Sequence, residues 1–119
     1  SYKGPPPGLS TRLFLRIGPA RCETFCHLIY PASQMWHAKS DTHLILMSGA
    51  GEEVARRTVQ IARGGSMLWR FREIFSEAER KTAGEDCYVV VRDTTCRLFG
   101  YHGLLGPAGA FSLDHMFGF

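Results

Sequence analysis

The chain has 119 residues, 45% of them hydrophobic and 21% charged, with a formal net charge of +3. That length suits one domain with a genuine core, and the composition excludes wholesale disorder. No apolar run approaches the ~18 residues that a membrane-spanning helix needs, and no block of like charges marks an acidic or basic tail.

Of the basic residues, eleven are Arg and three are Lys. Arginine suits forked contacts to carboxylates and phosphates. Here the arginines are spread along the chain and interleaved with acids, so nucleic acid is not the favoured partner.

Residues 1–10, with Pro5, Pro6 and Pro7, read as an extended Pro/Gly-rich arm ahead of a single α/β domain over residues 11–103. A first residue other than Met is read as the mark of a processed chain, which makes mitochondria the expected location. The stretch TRLFLRI at 11–17 alternates apolar and wetter positions and predicts a strand. Gly18-Pro19 closes it. Residues 21–29 predict a short helix, because Cys22, Phe25, Cys26 and Ile29 repeat at helical spacing.

THLILM at 42–47 predicts a buried strand, and residues 52–63 a helix with Val54, Ala55 and Val59 inward. Glu52 and Glu53 stand in its first turn, where the helix dipole favours acids. A second helix is predicted from Ser66, with Met67, Leu68, Phe71, Ile74 and Phe75 on its apolar stripe and Gly84 as its stop. CYVVVRDTTCRLFGYH predicts a hairpin turning at Asp93-Thr94. Its register puts Cys87, Val89, Val91, Cys96 and Leu98 on one face and Tyr88, Val90, Phe99 and Tyr101 on the other. Residues 104–119 read as a Gly-rich loop and an aromatic tail with a final helical turn from Ser112. The fold expected is therefore a two-layer α/β (α+β) sandwich. About four strands form a mixed sheet with helices packed on it, in the order β-α-β-α-β-β(-α).

Chemistry-bearing residues are few. Cys22 and Cys26 near a predicted helix start are the candidates for a reactive thiol pair, since a helix N-terminus and a neighbouring Arg favour thiolate. The element order over residues 11–103 resembles that of the thioredoxin family, in which a Cys pair opens the first helix after a strand. The resemblance implies a thiol redox protein using Cys22 and Cys26. It includes no specific motif: Cys22-Glu23-Thr24-Phe25-Cys26 is one residue longer than the family's C-x-x-C. Gly84-Glu85-Asp86 stands where the family has a cis-proline.

In the predicted hairpin Cys87 and Cys96 lie ~13 Å apart, too far to share a metal or a disulfide. The histidines are scattered, so no metal or cofactor is expected. Gly49 and Gly51 lack the third glycine of a dinucleotide loop and the Lys-Ser/Thr of a P-loop, which leaves a plain tight turn. No catalytic constellation stands out.

The C-terminal tail exceeds ordinary surface needs, with Phe111, Leu113, Met116, Phe117 and Phe119 crowded together. These residues and the Pro5–Pro7 arm are the expected partner-binding elements. The leading reading is a non-catalytic accessory subunit of a larger protein assembly. An Arg-rich, RNA-associated subunit of ribosomal type is a further alternative.

Overall fold

The computed structural model describes residues 10–19, 22–32, 37–106, 111–115 and 117–118. The predicted Pro5–Pro7 arm, Met116 and Phe119 lie outside them. The described chain is mostly β, which overturns the α/β, thioredoxin-like expectation. Nine strands and two short helices follow in the order β1 (Thr11–Arg16), β2 (Glu23–Ile29), β3 (Thr42–Met47), β4 (Glu53–Val59), β5 (Ser66–Arg70), α1 (Phe71–Ile74), α2 (Glu77–Ala83), β6 (Tyr88–Asp93), β7 (Phe99–Leu105), β8 (Phe111–His115) and β9 (Phe117–Gly118). They form two antiparallel sheets, ordered β4-β3-β6-β1-β9 and β5-β2-β7-β8.

The inner faces of the two sheets share one core. Leu13 and Leu15 of β1, Leu44 and Leu46 of β3, and Val89 and Val91 of β6 face Cys26 and Leu28 of β2 and Trp69 of β5. This is a β-sandwich, with inward and outward residues alternating along its strands. The strands predicted at 11–17 and 42–47 are present, and Leu13, Leu15, Val89 and Val91 point inward as expected.

Three predicted helices are replaced. The segment at 21–29 is strand β2, with Thr24, Cys26 and Leu28 buried at period two. Its helical stripe was a coincidence of outward Phe25 and Ile29 with inward Cys26. The segment at 52–63 is β4, joined to β3 by a tight hairpin in which Gly51 has φ 85. The N–H of Gly51 bonds the Ser48 carbonyl, and the N–H of Ser48 bonds the Glu52 carbonyl. Glu52 and Glu53 therefore flank a turn and do not open a helix.

β4 escaped recognition because its inward set is Ala55, Arg57 and Val59, with a charge in the middle. Arg57 stands opposite the fully buried Leu44. Its guanidinium bonds the Glu79 carboxylate at 2.5 Å and lies 5.3 Å over the Phe75 ring. The third predicted helix splits into β5, α1 and α2. The N-cap is Ser76, not Ser66: its hydroxyl accepts from the Glu79 N–H, and the Glu79 carboxylate accepts from the Ser76 N–H. Gly84 ends the helix at φ 85, as expected. Gly84 takes this conformation without the Cβ strain another residue would carry.

The predicted hairpin at Asp93-Thr94 is also replaced. β6 belongs to one sheet and β7 to the other, so the chain crosses the sandwich there. Asp93, 1% exposed, redirects it. Oδ1 accepts from the N–H of Thr95 (2.7 Å), the hydroxyl of Thr95 (2.6 Å) and the N–H of Cys96 (3.0 Å). Oδ2 accepts from the Asp41 N–H at 2.8 Å and the Thr42 hydroxyl at 2.9 Å. The Thr11 hydroxyl donates to the Cys96 carbonyl and accepts from the Leu98 N–H. Side chains thus satisfy the backbone groups that a crossing strand leaves without a ladder partner. The terminal helical turn expected from Ser112 is strand β8, paired with β7, and β9 pairs with β1.

Candidate interaction face

Each sheet of a sandwich has an inner and an outer face, and the outer faces decide what the molecule can meet. On the β4-β3-β6-β1-β9 sheet the outward rows run Thr58–His43–Arg92–Arg12 and Arg56–Ile45–Val90–Phe14. Ile45 and Val90, though outward, are only 6% and 7% exposed. The long side chains around them close over the apolar centre, as amphipathic stems do. Phe14 and Tyr88 stack with ring centroids 4.7 Å apart, and Arg56 forks onto Glu53. The Arg56 guanidinium holds the Glu53 carboxyl below its ordinary range. Among the described side chains of this face no large apolar residue is exposed.

The outer face of the β5-β2-β7-β8 sheet is different. Its register rows are Ser66–Ile29–Phe99, Leu68–His27–Tyr101, Arg70–Phe25–Gly103 and Glu23–Leu105. Phe111, Leu113 and His115 of β8 stand at register positions opposite Leu105, Gly103 and Tyr101. The three bare large apolar residues among the described set, Leu68 (63% exposed), Phe99 (53%) and Leu105 (40%), all belong to this face. The charges at its margin are engaged locally: Glu23 lies 3.5 Å from Arg72, and Arg70 lies 3.9 Å from Glu73. An apolar, aromatic sheet surface with neutralised margins is what a protein interface requires.

The segment expected to bind a partner is strand where it is described. Phe111 and Leu113 occupy β8, and Phe117 pairs with Phe14 as part of β9. The residues that sequence reasoning missed are Leu68, Phe99 and Leu105, together with Phe25 and Tyr101 beside them. Their signal was present: ETFCHLI and RLFGYHGLL are apolar at both odd and even positions, so a strand buried on one face must show apolar groups on the other.

Cys22 and Cys26 are set apart along the chain. Cys22 precedes β2 and Cys26 lies within it, so four steps of extended chain set them roughly 13 Å apart. The segment from Glu23 is strand, so the helix start that the sequence reading placed at Cys22–Cys26 is not found among the described residues. Cys26 is fully buried, and its pKa is pushed up to about 12 by burial, opposed by the neighbouring Trp69 side chain. The buried Trp69 indole N–H has no hydrogen-bond partner among the described residues. Cys87 is likewise pushed up by burial, and all four cysteines are free. With β6 and β7 in different sheets, the hairpin distance between Cys87 and Cys96 no longer applies.

A groove of about 680 Å³ opens at one end of the sandwich, lined by Ile17, Cys22, Phe71 and Cys87 among others. The cations on its rim are committed: Arg72 to Glu23, Lys81 to Glu77 at 3.6 Å, and the Arg80 Nε to the Phe75 carbonyl at 3.1 Å. No cluster of three or more His, Cys, Asp or Glu side chains suited to a metal occurs among the described residues. No described helix is long and apolar enough to cross a membrane.

The buried thiol and phenol give a pH prediction. Tyr30 is fully buried, and its pKa is pushed up to about 12 by burial and by a hydrogen bond with the Cys96 thiol. Raised folded values mean that Cys26 and Tyr30 favour the folded state fully below their unfolded values of about 9 and 10. That contribution is lost as pH rises through those values toward 12. The urea midpoint is therefore expected to fall steeply above pH ~9. Cys26→Ala and Tyr30→Phe together should flatten that fall, and a midpoint independent of pH in this window would contradict the assignment.

Comparison with protein-family models, curated proteins and solved structures finds no match to this chain.

Proposed function

We propose that the chain is a non-catalytic interaction subunit of a larger protein assembly, seated through the outer face of the β5-β2-β7-β8 sheet on an apolar surface of another protein. The observation that supports this reading is the concentration of Leu68, Phe99 and Leu105 on one face while the opposite outer face is closed by arginines and a stacked ring pair. Burying each such side chain contributes roughly 1.5–3 kcal/mol. Aromatic anchors within such a patch carry much of the affinity of protein interfaces.

Hydroxyl-radical footprinting of the native assembly tests the proposal. Leu68, Phe99 and Leu105 are expected to be protected relative to the isolated chain, with Phe14 and Tyr88 on the other sheet unchanged. Equal labelling of the three residues in both samples rejects it.

A further inference from the structure

Charge is unevenly placed on this sandwich. At the end where β1 and β3 begin and β6 stops, five cations, Arg12, Lys39, Arg63, Arg92 and Arg97, are exposed. The register sets Arg12 and His43 on either side of Arg92. The connections carrying Lys39, Arg63 and Arg97 are held to the same end by short bonds. The Arg63 N–H donates to the Ala38 carbonyl at 2.8 Å, and the Cys96 thiol lies 3.9 Å from the Lys39 carbonyl. The Thr11 hydroxyl donates to the Cys96 carbonyl at 2.7 Å.

The carboxylates described at this end are Asp41, 3.9 Å from His43, and Asp93, whose two oxygens are taken by five hydrogen bonds. Five cations against two carboxylates leave +3 here, equal to the formal net charge of the whole chain, so the remaining charges cancel. Toward the opposite end ion pairs do the balancing, Arg56 with Glu53, Arg72 with Glu23 and Lys81 with Glu77. Lys39, Arg63 and Arg92 make no ion pair among the described residues.

We propose that this end of the sandwich binds the phosphodiester backbone of single-stranded nucleic acid. Four of the five cations are Arg, whose planar fork matches phosphate oxygens. Arg12 stands directly opposite Arg92, and like charges so opposed destabilise an antiparallel pair. A phosphate seated between them turns that repulsion into two attractions. Acidic protein is the poorer match, because the centre of a protein interface is depleted of charge. Both described helices follow the opposite end of β5, which leaves no described helix here to enter a duplex groove. The contact is therefore to phosphates and reads no sequence. The folded chain brings together arginines that its sequence scatters among acids. This inference is independent of what covers the β5-β2-β7-β8 face.

Fluorescence anisotropy of the full chain with a short labelled single-stranded RNA of mixed sequence tests the assignment. Binding should weaken steeply with salt between about 50 and 200 mM. The logarithm of the binding constant should fall against that of the salt concentration with a slope of about −2 to −3.5, for about three to five phosphate contacts. Lys39→Gln, Arg63→Gln and Arg92→Gln should each make that slope shallower by about 0.7 and weaken every RNA sequence alike. Their circular dichroism should be unchanged, since all three side chains are exposed. Lys81→Gln, at the opposite end, is expected to change nothing. Single-stranded DNA of the same sequence separates the two sources of phosphate. Equal affinity assigns the contact to the backbone alone, and tighter RNA binding adds a contact to the 2′-hydroxyl. No binding at the lowest salt overturns the proposal. So does an equal loss on Lys81→Gln, or an acidic peptide of matched charge that binds as tightly as the RNA.

Discussion

Replacing Asp93 with Ala is expected to remove about 3–5 kcal/mol of stability, read as a fall in the urea midpoint at constant slope. The carboxylate accepts five hydrogen bonds, three on Oδ1 and two on Oδ2, in a position 1% exposed. Three of the donors are the backbone N–H groups of Asp41, Thr95 and Cys96, which lose this acceptor once the carboxylate is gone. Leaving a buried donor unpaired costs about 1–3 kcal/mol.

The loss extends along a relay. The Thr42 hydroxyl donates to Asp93, and the Ser40 oxygen sits 2.8 Å from Thr42 while accepting from the Ile61 N–H. Asp93→Asn should recover part of the loss, because an amide keeps one acceptor oxygen but directs its NH2 at the remaining donors. A loss below about 1 kcal/mol for the alanine variant would mean that the crossing from β6 to β7 is held by something else.

The second large effect is expected at Phe75. Its side chain is fully buried, with its ring 5.8 Å from that of Phe71 and beneath the Arg57 guanidinium. It joins α1 to α2 and supplies part of the core between the sheets. Phe75→Ala should cost about 3–5 kcal/mol, the range for deleting a buried ring and leaving a cavity. Part of that belongs to Arg57, whose inward placement is tolerable because it has both the Phe75 ring and the Glu79 carboxylate.

A double-mutant cycle between Phe75→Leu and Arg57→Met separates the terms. A coupling of about 0.5–1 kcal/mol or more is expected for the cation over the ring. Strict additivity would assign the whole cost to packing.

These two sites also mark where local reading of the chain fails. At Asp93 the stretch RDTTC looks like a two-residue hairpin. The decision to cross between sheets rests on bonds to Asp41, Thr42 and Thr11, which lie far away in sequence. At Arg57 a charge on the inward face erased the period-two pattern of β4, and only the fold places Glu79 and Phe75 beside it. In β2, Cys22, Phe25, Cys26 and Ile29 satisfied a helical template because both faces of the strand carry apolar residues. For so short a segment the two periods cannot be told apart.

The stretch from Met67 to Phe75 behaved in the same way. Its helical spacing is genuine only after Arg70, since residues 66–70 have a partner strand in β2 that no local rule announces.

What the sequence by itself determined is what depends on a few adjacent residues. It set the strands β1, β3 and β6, with Leu13, Leu15, Val89 and Val91 inward, and the tight turn after Met47. It also set the helix stop at Gly84, where backbone with positive φ suits glycine. Tertiary structure decided the rest: strand over helix at β2, β4 and β5, the separation of β6 from β7, and the exposure of Leu68, Phe99 and Leu105 on one sheet. The physical reason is that a strand acquires its hydrogen-bond partners and its second face from distant parts of the chain, whereas a turn or a helix cap closes within itself.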